Sequence, residues 1–250
     1  MSDIRGLLYR EFRLYIKQPL NVLLSFVSPL LYFFFFGLSM AHSGLVTDQN
    51  YLVFFYPGYA TMALFSGVST LIQGMFNERL GGMLTEILSC PVRVGAYVVA
   101  KISFAAAIAT AQTLVLMGAA YWVLPAGAPG GRAAIPLAVV IPVLLVSSVL
   151  VGSFISCIVA STTSIRTFTT VVNLVNPILM FTSSIFYPLG QLPAWMRWIA
   201  AVNPLTWCAE GLRSVMQQHF ELQQGAVLLV GALVMAVAAV LLNRWRIRTL

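Results

Sequence analysis

The chain alternates long apolar runs with short polar islands. Six runs stand out, at residues 20–40, 51–76, 94–124, 134–161, 171–187 and 222–243. Each is about the length an α-helix needs to cross the hydrocarbon of a bilayer, roughly 20 residues. Barrel strands would instead show segments of about ten residues with alternating polarity. The pattern therefore predicts an all-α polytopic membrane protein with six transmembrane helices. Between the second and third runs lies a polar island, residues 77–93. Within it Leu80, Met83, Leu84, Ile87 and Leu88 recur at the spacing of one helical stripe, while Glu78, Arg79, Thr85, Glu86 and Ser89 fill the rest of the wheel. Pro91 ends the pattern, since it has no N–H and its ring clashes with the preceding turn. The island thus predicts a short amphipathic helix at the membrane face with its charged side toward water. It serves either as a solvated connector or as a docking surface for a soluble partner.

Residues 1–18 have a related pattern with the opposite emphasis. Arg10, Arg13 and Lys17 gather on one side of the helical wheel, and Ile4, Leu7, Leu8, Phe12, Tyr15 and Ile16 cluster on the other. A basic amphipathic helix of this kind lies among the headgroups of an anionic leaflet. The run that follows is too long for the apolar region of a signal peptide. Lys101, near the start of the third run, is expected to snorkel to the headgroups. Between the fifth and sixth runs, Pro188, Pro193 and Pro204 break residues 188–217 into pieces too short to span, and Trp195, Trp198 and Trp207 suit an interface. Two short helices entering from the exterior side are expected, near residues 193–202 and 204–217. Broken helices at that depth survive only where protein or water covers their freed backbone groups. Glu210 and Arg213 are three residues apart and can pair on one helix face.

Composition sharpens this. The chain is 60% hydrophobic and 8% charged, against roughly 25% charged in soluble domains. The net charge of +7 raises the question of nucleic acid, but topology accounts for it. With a cytoplasmic N-terminus, only Arg132, Arg197 and Arg213 fall outside; the other eleven of the fourteen Lys and Arg residues fall inside. No nucleic-acid partner is called for. Cys90, Cys157 and Cys208 lack metal-site or disulfide-framework spacing. No zinc-protease or nucleophile-elbow motif appears, so no catalytic or metal-binding residue is expected. Neither Lys17 nor Lys101 sits in a phosphate-binding loop. If ATP drives this protein, it is hydrolysed on another chain.

Several features together resemble the ABC-2 type permeases, the membrane subunits of ABC exporters, and most of all the drug-resistance, nodulation-factor and polysaccharide branch. These features are the basic amphipathic start, the six spans, the polar helix ending at Cys90-Pro91-Val92, and three stretches near the end: Phe186-Tyr-Pro-Leu-x-Gln-Leu-Pro-x-Trp195, Asn203-Pro-Leu-Thr-Trp207 and Glu210-Gly-Leu-Arg213. The resemblance covers nearly the whole chain and implies a single transmembrane domain over residues 1–250. It implies a homodimer in the inner membrane, both termini cytoplasmic, bound to a pair of separate ATPase subunits that hold the ATP and magnesium; this chain needs no cofactor. Residues 77–93 would be the coupling helix, docking through Asn77, Glu78, Arg79, Thr85, Glu86 and Pro91. Residues 1–18 would be the interfacial helix, with Arg10, Glu11, Arg13 and Lys17 at the same junction. Pro188, Pro193, Trp195, Asn203, Pro204, Trp207, Glu210 and Arg213 would belong to a re-entrant exterior pair that caps the pathway. Spans with almost no charge favour an amphipathic cargo: lipid-like, drug-like or a lipid-linked saccharide. Phe33, Phe34, Phe36, Phe181 and Phe186 are its candidate lining. The alternative is an ion-coupled secondary transporter, which needs acidic relays inside the spans. Asp48, Glu78, Glu86, Glu210 and Glu221 all fall in loops or at span ends.

Overall fold

The computed structural model describes residues 2–38, 50–82, 93–121, 137–217 and 222–248, and every element of regular structure among them is helical. α1 (Ser2–Ile16) meets α2 (Pro19–Tyr32) at a 77° bend. Pro19 opens α2, where its missing N–H costs nothing. A π-helical turn, Phe33–Leu38, follows. α3 (Asn50–Leu80), α4 (Val94–Tyr121) and α5 (Leu137–Ser161) are long, and α6 (Ile165–Phe181) is shorter. A 3-10 turn, Leu189–Gln191, leads to α7 (Ala194–Val202), α8 (Pro204–Met216) and finally α9 (Leu222–Arg248).

α5 is the hub, packing on α9, α3, α4 and α8. Its inner face is rich in small residues: Ser147, Ser148, Gly152, Ser153 and Ser156 are all buried. Small side chains let helix backbones approach closely, and that packing, with interhelical hydrogen bonds, holds helices together in lipid. Two such bonds link α5 outward: Thr110–Ser148 at 3.2 Å and Asn243 Nδ2 to Ser156 at 3.1 Å. Gly58 on α3 faces a still tighter approach. A Cβ there would fall on the Ile185 carbonyl oxygen. The outer face of α9 is the reverse, with Leu229, Leu233, Val237 and Leu241 exposed one turn apart.

Three described helices are long and apolar enough to cross a membrane by themselves: Val94–Ala119, Leu137–Ser161 and Gln223–Arg246. The other three expected spans correspond to α2 with its π turn, α3 and α6, which lie outside that set. Of the boundaries that differ from the sequence expectation, two bear on the sites described below. The second span and the polar island do not part at residue 76; α3 runs unbroken to Leu80, so Asn77, Glu78 and Arg79 form its last turn. The fifth span begins earlier than residue 171, because Ser164 caps α6 by accepting from the Thr167 N–H at 3.2 Å.

Candidate functional site

The last turn of α3 is the centre of a buried ion network. Glu78 Oε1 accepts from Lys101 Nζ at 2.9 Å and from Arg10 Nη2 at 3.1 Å, and Glu78 Oε2 accepts from the Tyr97 hydroxyl at 2.6 Å. Glu11 completes it, accepting from Lys101 at 2.6 Å and from Arg10 at 2.7 Å. Two carboxylates meet two cations, so the cluster is electrically neutral. Glu11 is 7% exposed and Lys101 6%. Charges this deep are tolerated only because each is paired and hydrogen-bonded. Burial alone would raise the Glu78 carboxyl, but the Lys101 ammonium, the Tyr97 hydroxyl and the Arg10 guanidinium outweigh it and hold the group below its ordinary value. Lys101 therefore does not snorkel to headgroups, as its position near a span end had led us to expect. It is locked between α1 and α3.

This arrangement divides the expected docking residues. On α1, Arg13 and Lys17 are exposed, with the Arg13 guanidinium 5.5 Å from the Tyr9 ring centre, whereas Arg10 and Glu11 turn inward to the network. On α3, Glu78 faces inward rather than toward water, and Arg79 reaches the Val159 and Thr162 carbonyls at the end of α5, both at 3.4 Å. Asn77 is exposed. Thr85, Glu86 and Pro91 lie outside the described residues. Gly82, at φ 74°, turns the chain out of α3 in a conformation that suits glycine.

A cleft of about 750 Å³ opens beside the network, between α1–α2 on one side and α3–α4 on the other. From α3 it receives Ser66, Thr70, Gln73 and Asn77, spaced four, three and four residues apart, which is one helical stripe. Sequence reasoning missed this stripe, although its periodicity is visible once polar rather than apolar positions are counted. Lys101, Tyr97 and Glu11 were also missed as partners; no local signal joins residues so far apart in the chain.

Two short helices, α7 and α8, form in the proline-broken segment. Asn203 caps α8 by accepting from the Leu205 N–H at 2.9 Å, and donates to the Leu179 carbonyl at 2.7 Å. Pro204 is the first residue of α8. Pro188 precedes the 3-10 turn and Pro193 precedes α7. Trp195 and Trp198 are exposed, while Trp207 donates to the Ala201 carbonyl at 2.8 Å with its ring over Gly231. Arg213 pairs with Glu210 and donates to the Ser184 carbonyl at 3.0 Å, its guanidinium 3.9 Å from the Phe54 ring centre. Of the aromatic lining candidates, Phe33 and Phe186 are buried in the bundle, and Phe34 and Phe181 are exposed. Phe33, Tyr59, Phe55, Phe186 and Phe181 form a continuous ladder of rings with centroids 4.8 to 6.5 Å apart. The side chain of Phe36 is outside the described set.

Comparison with known proteins fits this architecture. A protein of Cyanophora paradoxa, provisionally named transport permease ycf38, is 22% identical over 207 residues, covering 79% of this chain and 68% of that protein. The family model for the ABC-2 type transporter matches residues 2–217. With a match over most of its length and apolar helices to cross a bilayer, the chain belongs to the ABC-2 type transporter family, as the multi-pass membrane subunit of a transporter.

Proposed function

We propose that this chain is the permease subunit of an ATP-driven exporter. It works as a homodimer in the inner membrane, with six spans and both termini cytoplasmic. Two ABC ATPase subunits dock on residues 77–93 and on the exposed side of α1. Its cargo is amphipathic: lipid-like, drug-like or a lipid-linked saccharide. The observation that carries this reading is the ion network. The helix that leads into residues 83–92 is bolted at its last turn to α1 and α4 through Glu78, Lys101, Arg10 and Glu11. A push from a bound motor at that segment would therefore move several helices as one body, the mechanics that rigid-body gating requires.

Co-expression with the cognate ATPase tests it. Glu78 is the wrong residue to reverse, because the network needs it. Glu86→Arg lies beyond Gly82 and is the cleaner probe. The expected result is loss of ATPase co-purification and a fall of about tenfold in permease-dependent hydrolysis, as removal of one docking anchor predicts, with the permease's thermal midpoint unchanged. Unaltered association and hydrolysis in both Glu86→Arg and Thr85→Trp would overturn the docking assignment.

A further inference from the structure

We infer that the cleft beside the ion network is a binding site for the neutral, hydroxyl-rich head group of an amphipathic molecule. Three observations lead there. First, the cleft is ligand-sized: about 750 Å³, within the range of small-molecule sites. Second, apart from Glu11, Glu78 and Lys101 at one end, which pair with one another, its polar wall is uncharged. Ser66, Thr70, Gln73 and Asn77 supply hydroxyls and carboxamides, and among the described residues the carboxamides of Gln73 and Asn77 meet no hydrogen-bond partner. Gln73 is half-buried within the second span, where a carboxamide costs free energy unless something pairs with it. Each carboxamide offers both donor and acceptor, matching sugar-type hydroxyls. An anionic head would need a free cation, and among the described lining residues the one cation, Lys101, is already held by Glu11 and Glu78. Third, α2 presents an exposed apolar face at the same mouth. Leu20, Leu23, Leu24 and Val27 are all exposed and Leu24 lines the cleft. An alkyl tail can lie there while the head sits inside.

Gly74 supplies a clean handle. It lines the cleft, and a Cβ added to it would have no heavy atom within 4 Å. A larger side chain there fills the site without displacing backbone. Only the fate of the bound molecule depends on the transport reading, so occupancy is measured with no ATPase present.

The experiment uses three photoreactive dodecyl probes that share one diazirine-bearing tail and differ in the head: maltoside, phosphocholine and trimethylammonium. The permease is reconstituted in lipid nanodiscs, irradiated and mapped by peptide mass spectrometry. The maltoside is expected to label residues 20–27, where the tail lies on α2, in preference to the other two. Gly74→Phe is expected to lower that labelling about tenfold, and Gly74→Ala to leave it. Thr70→Val with Gln73→Leu removes a hydroxyl and a carboxamide at nearly constant volume. It should also cost about tenfold, the equivalent of one to two hydrogen bonds, with an unchanged thermal midpoint. That pair decides the question should Gly74→Phe fail to fold. Equal labelling by all three heads, a preference for phosphocholine or trimethylammonium, or labelling unaffected by the substitutions would overturn the site.

Discussion

At one end of α3, Glu78 is held by Lys101, Arg10 and Tyr97, which come from two other helices. At the other end, about 36 Å away along the helix axis, Phe54 offers its ring to Arg213, whose carboxylate partner Glu210 sits one turn away on the same helix. Both clusters bury charge, but they do different jobs. The first joins different helices through residues 19 to 90 apart in sequence. The second is a local pair that is then pressed against α3 and the Ser184 carbonyl. A non-local network fixes how helices sit relative to one another; a local pair mainly neutralises a charge so that its own helix can enter the bundle.

Substitutions can break or sharpen that contrast. Lys101→Met should have the largest effect, about 3–5 kcal/mol, because it leaves two buried carboxylates sharing one cation, Arg10. Titrating the purified permease with SDS measures this, and adding Glu11→Gln should recover part of the loss. An additive result would mean that the two residues are not coupled. At the other end the effect should be lopsided. Arg213→Met removes the donor to the Ser184 carbonyl and costs about 2–3 kcal/mol. Glu210→Gln, whose side chain is 27% exposed, should cost under about 1 kcal/mol, since solvent screens the pair. Equal costs for the two would contradict the local-pair description. Tyr97→Phe removes one bond to Glu78 and should cost about 1 kcal/mol.

Acid should have the smallest and most selective effect. The folded Glu78 carboxyl lies below its ordinary value, so its contribution is fully present above about pH 4.3 and fades as pH falls through that value toward the lowered one. The expected sign is faster tryptic cleavage at Arg13 and Lys17 as α1 loosens at acid pH. In Lys101→Met the largest lowering cause is gone, and loosening should begin at higher pH.

The same contrast explains what could be read from residues alone. Glu210 and Arg213 were legible as a pair because three residues along a helix is a fixed geometry. So were the basic amphipathic α1 and the proline-broken pair α7 and α8, since each rests on a local rule. The Glu11–Lys101 bond was not, because it depends on the bend at Pro19 and on how α1 then lies across α4. Gly58 was likewise silent: nothing in its neighbours announces that the Ile185 carbonyl will sit against it. The end of α3 was misplaced because an apolar count stops at Phe76, whereas Glu78 stays helical by finding partners inside the protein.

Gly82 has a mechanical corollary. Its left-handed turn, with the Gly81 N–H bonded to the Asn77 carbonyl at 2.9 Å, is an elbow placed one helical turn past Glu78. Torque applied at Gly82 cannot simply spin α3 about its own axis, because its last turn is clamped to two neighbours. A residue such as alanine at Gly82 disfavours the left-handed turn and should change how the chain leaves α3 while leaving the clamp intact.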